Sequence, residues 1–132
     1  MITTLFSIFL ILHGFVHMLY AGQSGRLFEL NAGMLWPDGS WLFSHLLGEG
    51  ATRMLASVLL VLAALGFMGG GLALLLRHAV WHPVIVGATL FSATIFLLFW
   101  DGKFLALDEQ GGVGLLISLA IVMTVLILKW PR

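Results

Sequence analysis

Long, uninterrupted runs of apolar residues dominate the pattern of this chain, and shorter polar segments separate them. Four runs come close to the roughly 20 residues that an α-helix needs to cross a bilayer; they cover residues 2–21, 51–76, 83–100 and 112–130. The links between the last three runs are short, which favours antiparallel neighbouring helices. The pattern predicts an all-α, polytopic membrane protein whose single domain, residues 1–132, is a four-transmembrane-helix up-down bundle.

The link between the first two predicted helices, residues 22–50, is long for so small a protein, and long links tend to be functional. Its composition is amphipathic. Trp36 and Trp41 are suited to a lipid headgroup layer, and Ser40 could begin a short helix that stops at Gly48. We expect this outer loop to lie on the bilayer and to cap part of the bundle.

Composition restricts the function classes. The chain is 61% hydrophobic and only 9% charged, which indicates lipid rather than water as its solvent. Six basic and six acidic residues give a formal charge of zero, so there is no basic surface to bind nucleic acid. Cysteine is absent, which excludes disulfides, thiolate catalysis and thiolate metal sites within this chain.

Charge also gives a predicted orientation. The basic residues divide evenly between the two sides of the predicted bundle and therefore favour neither orientation. The predicted orientation rests instead on the acidic residues. All of them fall on the side of the long loop: Glu29, Asp38, Glu49, Asp101, Asp108 and Glu109. We expect both termini in the cytoplasm and the loop outside.

Small residues spaced four apart predict where helices approach closely, because such faces let backbones pack in lipid. The pairs are Gly66 and Gly70, Ala88 and Ser92, and Gly114 and Ser118. Contacts within one chain are the first interpretation, and contacts in a homo-oligomer or with other membrane subunits are the alternative.

Two histidines inside the first apolar run, His13 and His17, are the strongest chemical signal. An ionisable side chain inside a membrane is costly and usually marks a functional site or a polar relay. Their spacing of four places both on one face of a helix. The pair therefore defines a candidate polar pocket in the outer half of the bundle.

Depth in the membrane selects the residues that could complete this pocket. The ligand-binding candidates are His13, His17, Tyr20, Arg53, Trp100 and Asp101. The candidates for metal ligation are His13, His17, His45 and Glu49.

Four interpretations of the pair stay open. The histidines could fasten helices together, bind a quinone or another lipid-soluble molecule, ligate a metal or haem, or lie on a proton or ion path. Two histidines one turn apart on one helix cannot both be axial ligands of the same haem. No nucleophile with a nearby base and no phosphate-binding loop is evident, which favours a non-catalytic or accessory protein. The alternatives are a membrane oxidoreductase or metal-binding subunit, and an oligomeric channel or transporter component.

Residues 12–17, Leu-His-Gly-Phe-Val-His, resemble the HGxxH opening of a family of small bacterial four-helix membrane proteins without an established activity. Residues 92–104 resemble the end of that family's third span, and residues 114–121 fit its last helix. The general architecture is also similar to that of DoxX-like membrane proteins, which are associated with quinone-linked respiratory complexes. The resemblance implies a four-helix fold and favours a ligand-binding or accessory role, but it implies no reaction.

Overall fold

The computed structural model describes residues 1–104 and 112–131, and this part of the chain is helical without any strand. The helices are α1 (Ile2–Ser24), α2 (Phe43–Leu75), α3 (Trp81–Leu98) and α4 (Gly112–Val122), and α4 continues as a π-helical stretch, Met123–Ile127. Asp108 and Glu109, two of the acids behind the predicted orientation, lie outside the described residues.

Three of these helices, α1, α2 and α3, are long and apolar enough to cross a membrane, which indicates a multi-pass membrane protein. The fourth apolar segment, Gly112–Ile127, is shorter. At about 1.5 Å per residue it extends about 24 Å, against about 30 Å for the hydrocarbon core. A fourth span therefore remains a prediction.

Close backbone contact joins α1 to α2 in antiparallel orientation. A Cβ atom added at Gly14 would lie 2.5 Å from Met68 Cγ and 2.9 Å from the Ala64 carbonyl oxygen. Towards the other end of the pair, a Cβ added at Gly71 would lie 2.9 Å from the Ser7 carbonyl oxygen. Glycine is needed at both positions because a larger residue would force the two helices apart.

The contact of α2 with α3 uses the small residues that the sequence singles out. A Cβ added at Gly66 would lie 2.9 Å from Ala88 Cβ, and one at Gly70 would lie 2.5 Å from Ile85 Cδ1. On the far side of α3, the Phe96 ring lies against Gly114 of α4. These small-residue faces are contacts within one chain, as the first interpretation predicted.

The segment between α1 and α2, residues 25–42, folds over one end of the helices, which we call the loop end. The other end, where the start of α1 meets the residues after α4, is called the terminal end. Trp36 is only 4% exposed and contacts the rings of Tyr20, Phe96 and Phe99. It therefore packs into the protein instead of the headgroup layer that its sequence context predicted. Trp41 is 50% exposed, and its Nε1 donates a hydrogen bond to the Leu97 carbonyl oxygen at 2.8 Å.

The predicted short helix at the end of the loop exists, but it merges with α2. The Ser40 hydroxyl accepts a hydrogen bond from the Phe43 backbone N–H at 3.2 Å. Gly48 has φ 78° and ψ 167°, a non-helical conformation with a left-handed φ that glycine tolerates, and it forms a kink between two helical segments. The range Phe43–Leu75 therefore joins the predicted short helix, which stops at Gly48, to the predicted long helix that follows it.

An aspartate shared by two arginines, Arg26 of the loop and Arg53 of α2, ties the loop together and holds it to α2. The Asp38 carboxylate accepts hydrogen bonds from Arg53 Nε and Nη2 at 2.6 and 2.5 Å, and its Oδ1 lies 3.0 Å from Arg26 Nη2. Burial alone would raise the pKa of Asp38, but the hydrogen bonds from Arg53 and the charge of Arg26 outweigh it and hold the pKa below its usual value.

Acidification is expected to loosen the loop. Because the folded protein holds the pKa of Asp38 below its unfolded value, the stabilisation is complete above about pH 4 and is lost as the pH falls through the folded pKa. Thermal unfolding in detergent between about pH 5 and about pH 2 should show this loss. The Asp38→Asn variant should be less stable at about pH 5 and should lose less stability on acidification; an equal loss in both proteins would contradict the assignment.

Candidate functional site

The two histidines lie on the buried face of α1. His13 is 4% exposed and His17 is 1% exposed. The two imidazole centroids are 4.7 Å apart at an interplanar angle of 81°. The Phe67 ring of α2 contacts both, with centroid distances of 4.7 Å to His13 and 4.9 Å to His17. Both rings are thus turned towards the neighbouring helices.

His17 has a hydrogen-bond partner at each ring nitrogen. Its Nδ1 lies 2.9 Å from the His13 carbonyl oxygen, and its Nε2 lies 2.6 Å from Ser92 Oγ of α3. A carbonyl oxygen only accepts, so Nδ1 carries the proton. In the neutral imidazole Nε2 then accepts, and the Ser92 hydroxyl donates. His17 therefore links α1 to α3 through the interior of the protein.

His13 differs from His17 in one decisive respect. Its Nε2 is buried and has no hydrogen-bond partner. Leaving a buried polar atom unsatisfied costs about 1–3 kcal/mol, and such an atom in a folded protein points to a functional role or to a bound water, ion or ligand. The Phe67 and His17 rings are both in edge-to-face contact with the His13 ring, and its Nε2 is available for one further contact.

A further buried polar atom without a hydrogen-bond partner lies on α4. Ser118 Oγ is buried without a hydrogen-bond partner, and Ser118 follows Gly114 by one helical turn. Gly114 contacts Phe96, whose ring centroid is 5.8 Å from that of His17. The interior at the level of the histidines thus contains more hydrogen-bonding capacity than its own residues use.

Of the other predicted pocket residues, Tyr20 contacts a ring, Phe96, that lies beside His17. Its ring packs edge-on against Phe96 and Trp36, at 5.5 Å from each. It forms the wall between the histidines and the loop. Arg53 points to Asp38 in the loop, and its carbonyl oxygen accepts a hydrogen bond from Ser24 Oγ at 2.7 Å.

Trp100 and Asp101 lie beyond the end of α3 and support a local turn. Trp100 Nε1 donates to the Lys103 carbonyl oxygen at 2.7 Å, and Asp101 Oδ1 accepts from the Lys103 backbone N–H at 2.8 Å. These contacts lie at the loop end, and none of them involves His13 or His17.

The predicted metal ligands do not assemble. His45 is exposed, and the exposed Glu49 accepts hydrogen bonds from the Gly39 backbone N–H and from Ser44 Oγ. Within residues 1–104 and 112–131, no group of three or more His, Cys, Asp or Glu side chains could hold a metal ion.

Sequence reasoning missed Phe67 and Ser92 as contacts of the histidines. Counting helical turns from the loop end could have found Ser92, because His17 and Ser92 each lie about two turns before the loop end of their helices. No comparable signal marks Phe67, which is one of many apolar residues in α2.

A scan against protein-family models and searches of curated proteins and of solved structures found no match to this chain. The resemblance to HGxxH membrane proteins and the association with further subunits therefore stay predictions.

Proposed function

We propose that this chain is a non-catalytic or accessory protein of the bacterial inner membrane, with four spans and with the loop end outside, and that it binds a small lipophilic ligand through His13. The observation that carries the proposal is the contrast between the two histidines. Both ring nitrogens of His17 are hydrogen-bonded, whereas Nε2 of the equally sheltered His13 has no partner.

A purely structural role explains the hydrogen bonds of His17 but not the unpartnered nitrogen of His13. His17 links two helices, and an interhelical hydrogen bond in a membrane contributes about 1 kcal/mol. The unpartnered His13 Nε2 contributes no such bond and is costly without a ligand. A ligand that donates to, or accepts from, this nitrogen would remove the cost, and the rings of Phe67 and His17 would pack against its apolar part.

The experiment compares His13→Leu with His17→Leu. Without ligand, His17→Leu should lower the free energy of unfolding by about 1 kcal/mol, because it breaks the bond to Ser92. His13→Leu should leave stability unchanged or raised, because it removes an unsatisfied polar atom. The stability of both proteins is measured in detergent after exhaustive delipidation.

Ligand binding is then tested in two ways. Mass spectrometry of organic extracts should find about one lipophilic molecule per chain in the wild type and none in His13→Leu. Decylubiquinone, used as the probe, should stabilise the wild type, by up to about 2.7 kcal/mol at 100 times its Kd, but not His13→Leu. Equal stabilisation of both proteins, or a shift in neither together with identical extracts, would refute the proposal. A Soret band or stoichiometric metal that depends on His13 would instead favour the oxidoreductase alternative.

A further inference from the structure

An open groove lies at the terminal end of the protein, between the start of α3 and the end of α4. Its volume is about 350 Å³, and its lining residues are Trp81, His82, Val125, Leu126, Lys129 and Pro131. It is separate from the histidine pair, which lies nearer the middle of α1.

The floor of the groove is apolar, and its rim carries the basic side chains of His82 and Lys129. Val125 is 1% exposed and belongs to the core cluster of this end, whereas His82 and Lys129 are exposed. The Trp81 and His82 rings are in edge-on contact at 5.4 Å, and tryptophan is the aromatic residue typical of a membrane interface. One wall is the π-helical turn Met123–Ile127, an element that often marks functional sites.

Charge is segregated along the molecule. Arg77 and His78, in the link before α3, add further basic groups at the terminal end. The acidic residues of the described ranges, 1–104 and 112–131, all lie at the loop end: Glu29, Asp38, Glu49 and Asp101. An anion at the groove would therefore meet complementary charge without competition from any described carboxylate.

We propose that this groove binds an anionic glycerophospholipid, with its phosphate at Lys129 and His82 and an acyl chain along the apolar floor. The groove has both halves of the required chemistry, and it lies at helix ends, where a lipid headgroup would be found. Basic pockets between membrane helices are known to take such headgroups, and each Lys or Arg near an anionic membrane contributes enough to change affinity about fivefold. The exposed Leu126 extends the groove onto the lipid-facing surface.

The test measures phosphatidylglycerol binding to the full chain in detergent by native mass spectrometry, with phosphatidylcholine as the neutral reference. The wild type should retain one phosphatidylglycerol in preference to phosphatidylcholine. Lys129→Gln should weaken that binding about fivefold, and the double variant Lys129→Gln/His82→Gln should weaken it further. Lys129→Arg, which keeps the charge, should bind phosphatidylglycerol as the wild type does. Arg77→Gln is the matched control, since it removes a charge from the same end but not from the groove lining.

Three results would overturn the proposal. Equal losses in Arg77→Gln and Lys129→Gln would indicate diffuse attraction without a site. Displacement of the lipid by inorganic phosphate at matched concentration would identify free phosphate as the ligand. Unchanged binding in the double variant, after size-exclusion chromatography shows that it is folded, would exclude the groove. None of these results depends on His13, so failure here is distinguishable from failure of the proposed function.

Discussion

Replacing Gly14 by leucine is expected to separate α1 from α2 and to lower the free energy of unfolding by about 3 kcal/mol or more. A Cβ at this position would lie 2.9 Å from the Ala64 carbonyl oxygen, which is backbone and cannot rotate away. It would also lie 2.5 Å from Met68 Cγ. The remaining leucine atoms add to this overlap, so the helices must move apart. Thermal unfolding and size-exclusion chromatography in detergent measure the effect.

The matched control is Gly69→Leu on α2. No atom lies within 4 Å of a Cβ built at Gly69, and this glycine is exposed. Leucine is the better helix former, by up to about 1 kcal/mol, so the control should be neutral or stabilising. If both variants lose the same stability, the close approach at Gly14 is not what holds α1 against α2.

Replacing Phe67 by alanine is expected to have the second largest effect. The ring is fully buried, packs with Leu10 and Ile85 in the core cluster of the terminal end, and touches both histidine rings. In water-soluble proteins such a truncation costs about 3–5 kcal/mol. Acyl chains are as apolar as the protein interior, so the transfer part of that cost shrinks and the lost packing contacts remain. We expect a loss of about 2–3 kcal/mol in unfolding free energy.

The control for this variant is Leu62→Ala, on the same helix. Leu62 is 52% exposed and faces the surroundings of the protein. Its truncation removes few protein contacts and should change stability by less than about 0.5 kcal/mol. Comparable losses in the two variants would show that the effect does not depend on packing around the histidines, and helix propensity could not explain it because alanine is the best helix former.

The helices were largely predictable. Apolar runs of bilayer length specify α-helices because the backbone polar groups of a span must be satisfied within it. The break between the short helix and the long helix of α2 was also predictable, because glycine tolerates the non-helical, positive-φ conformation that Gly48 adopts there. Gly66 against Ala88 was foreseeable because small residues mark close approach, whatever their partner.

The loop shows where local pattern stops being informative. Trp36 has the composition of an interfacial residue, yet it is buried against Phe96 and Phe99. The sharing of Asp38 between Arg26 and Arg53 joins positions far apart in sequence. Neither outcome is encoded by spacing, since both depend on how the loop folds back over the helix ends.

The sequence by itself determined a helical membrane protein and, through the spacing of four, two histidines on one face of the first helix. Only the tertiary structure decided that His17 meets Ser92 while His13 Nε2 is left unpartnered. The physical reason is that helical periodicity determines which residues share a face, whereas the rotation and register of one helix against another determine what that face contacts. Rotation and register arise from the summed packing of many side chains, such as those around Gly14 and Phe67, and no single motif specifies them.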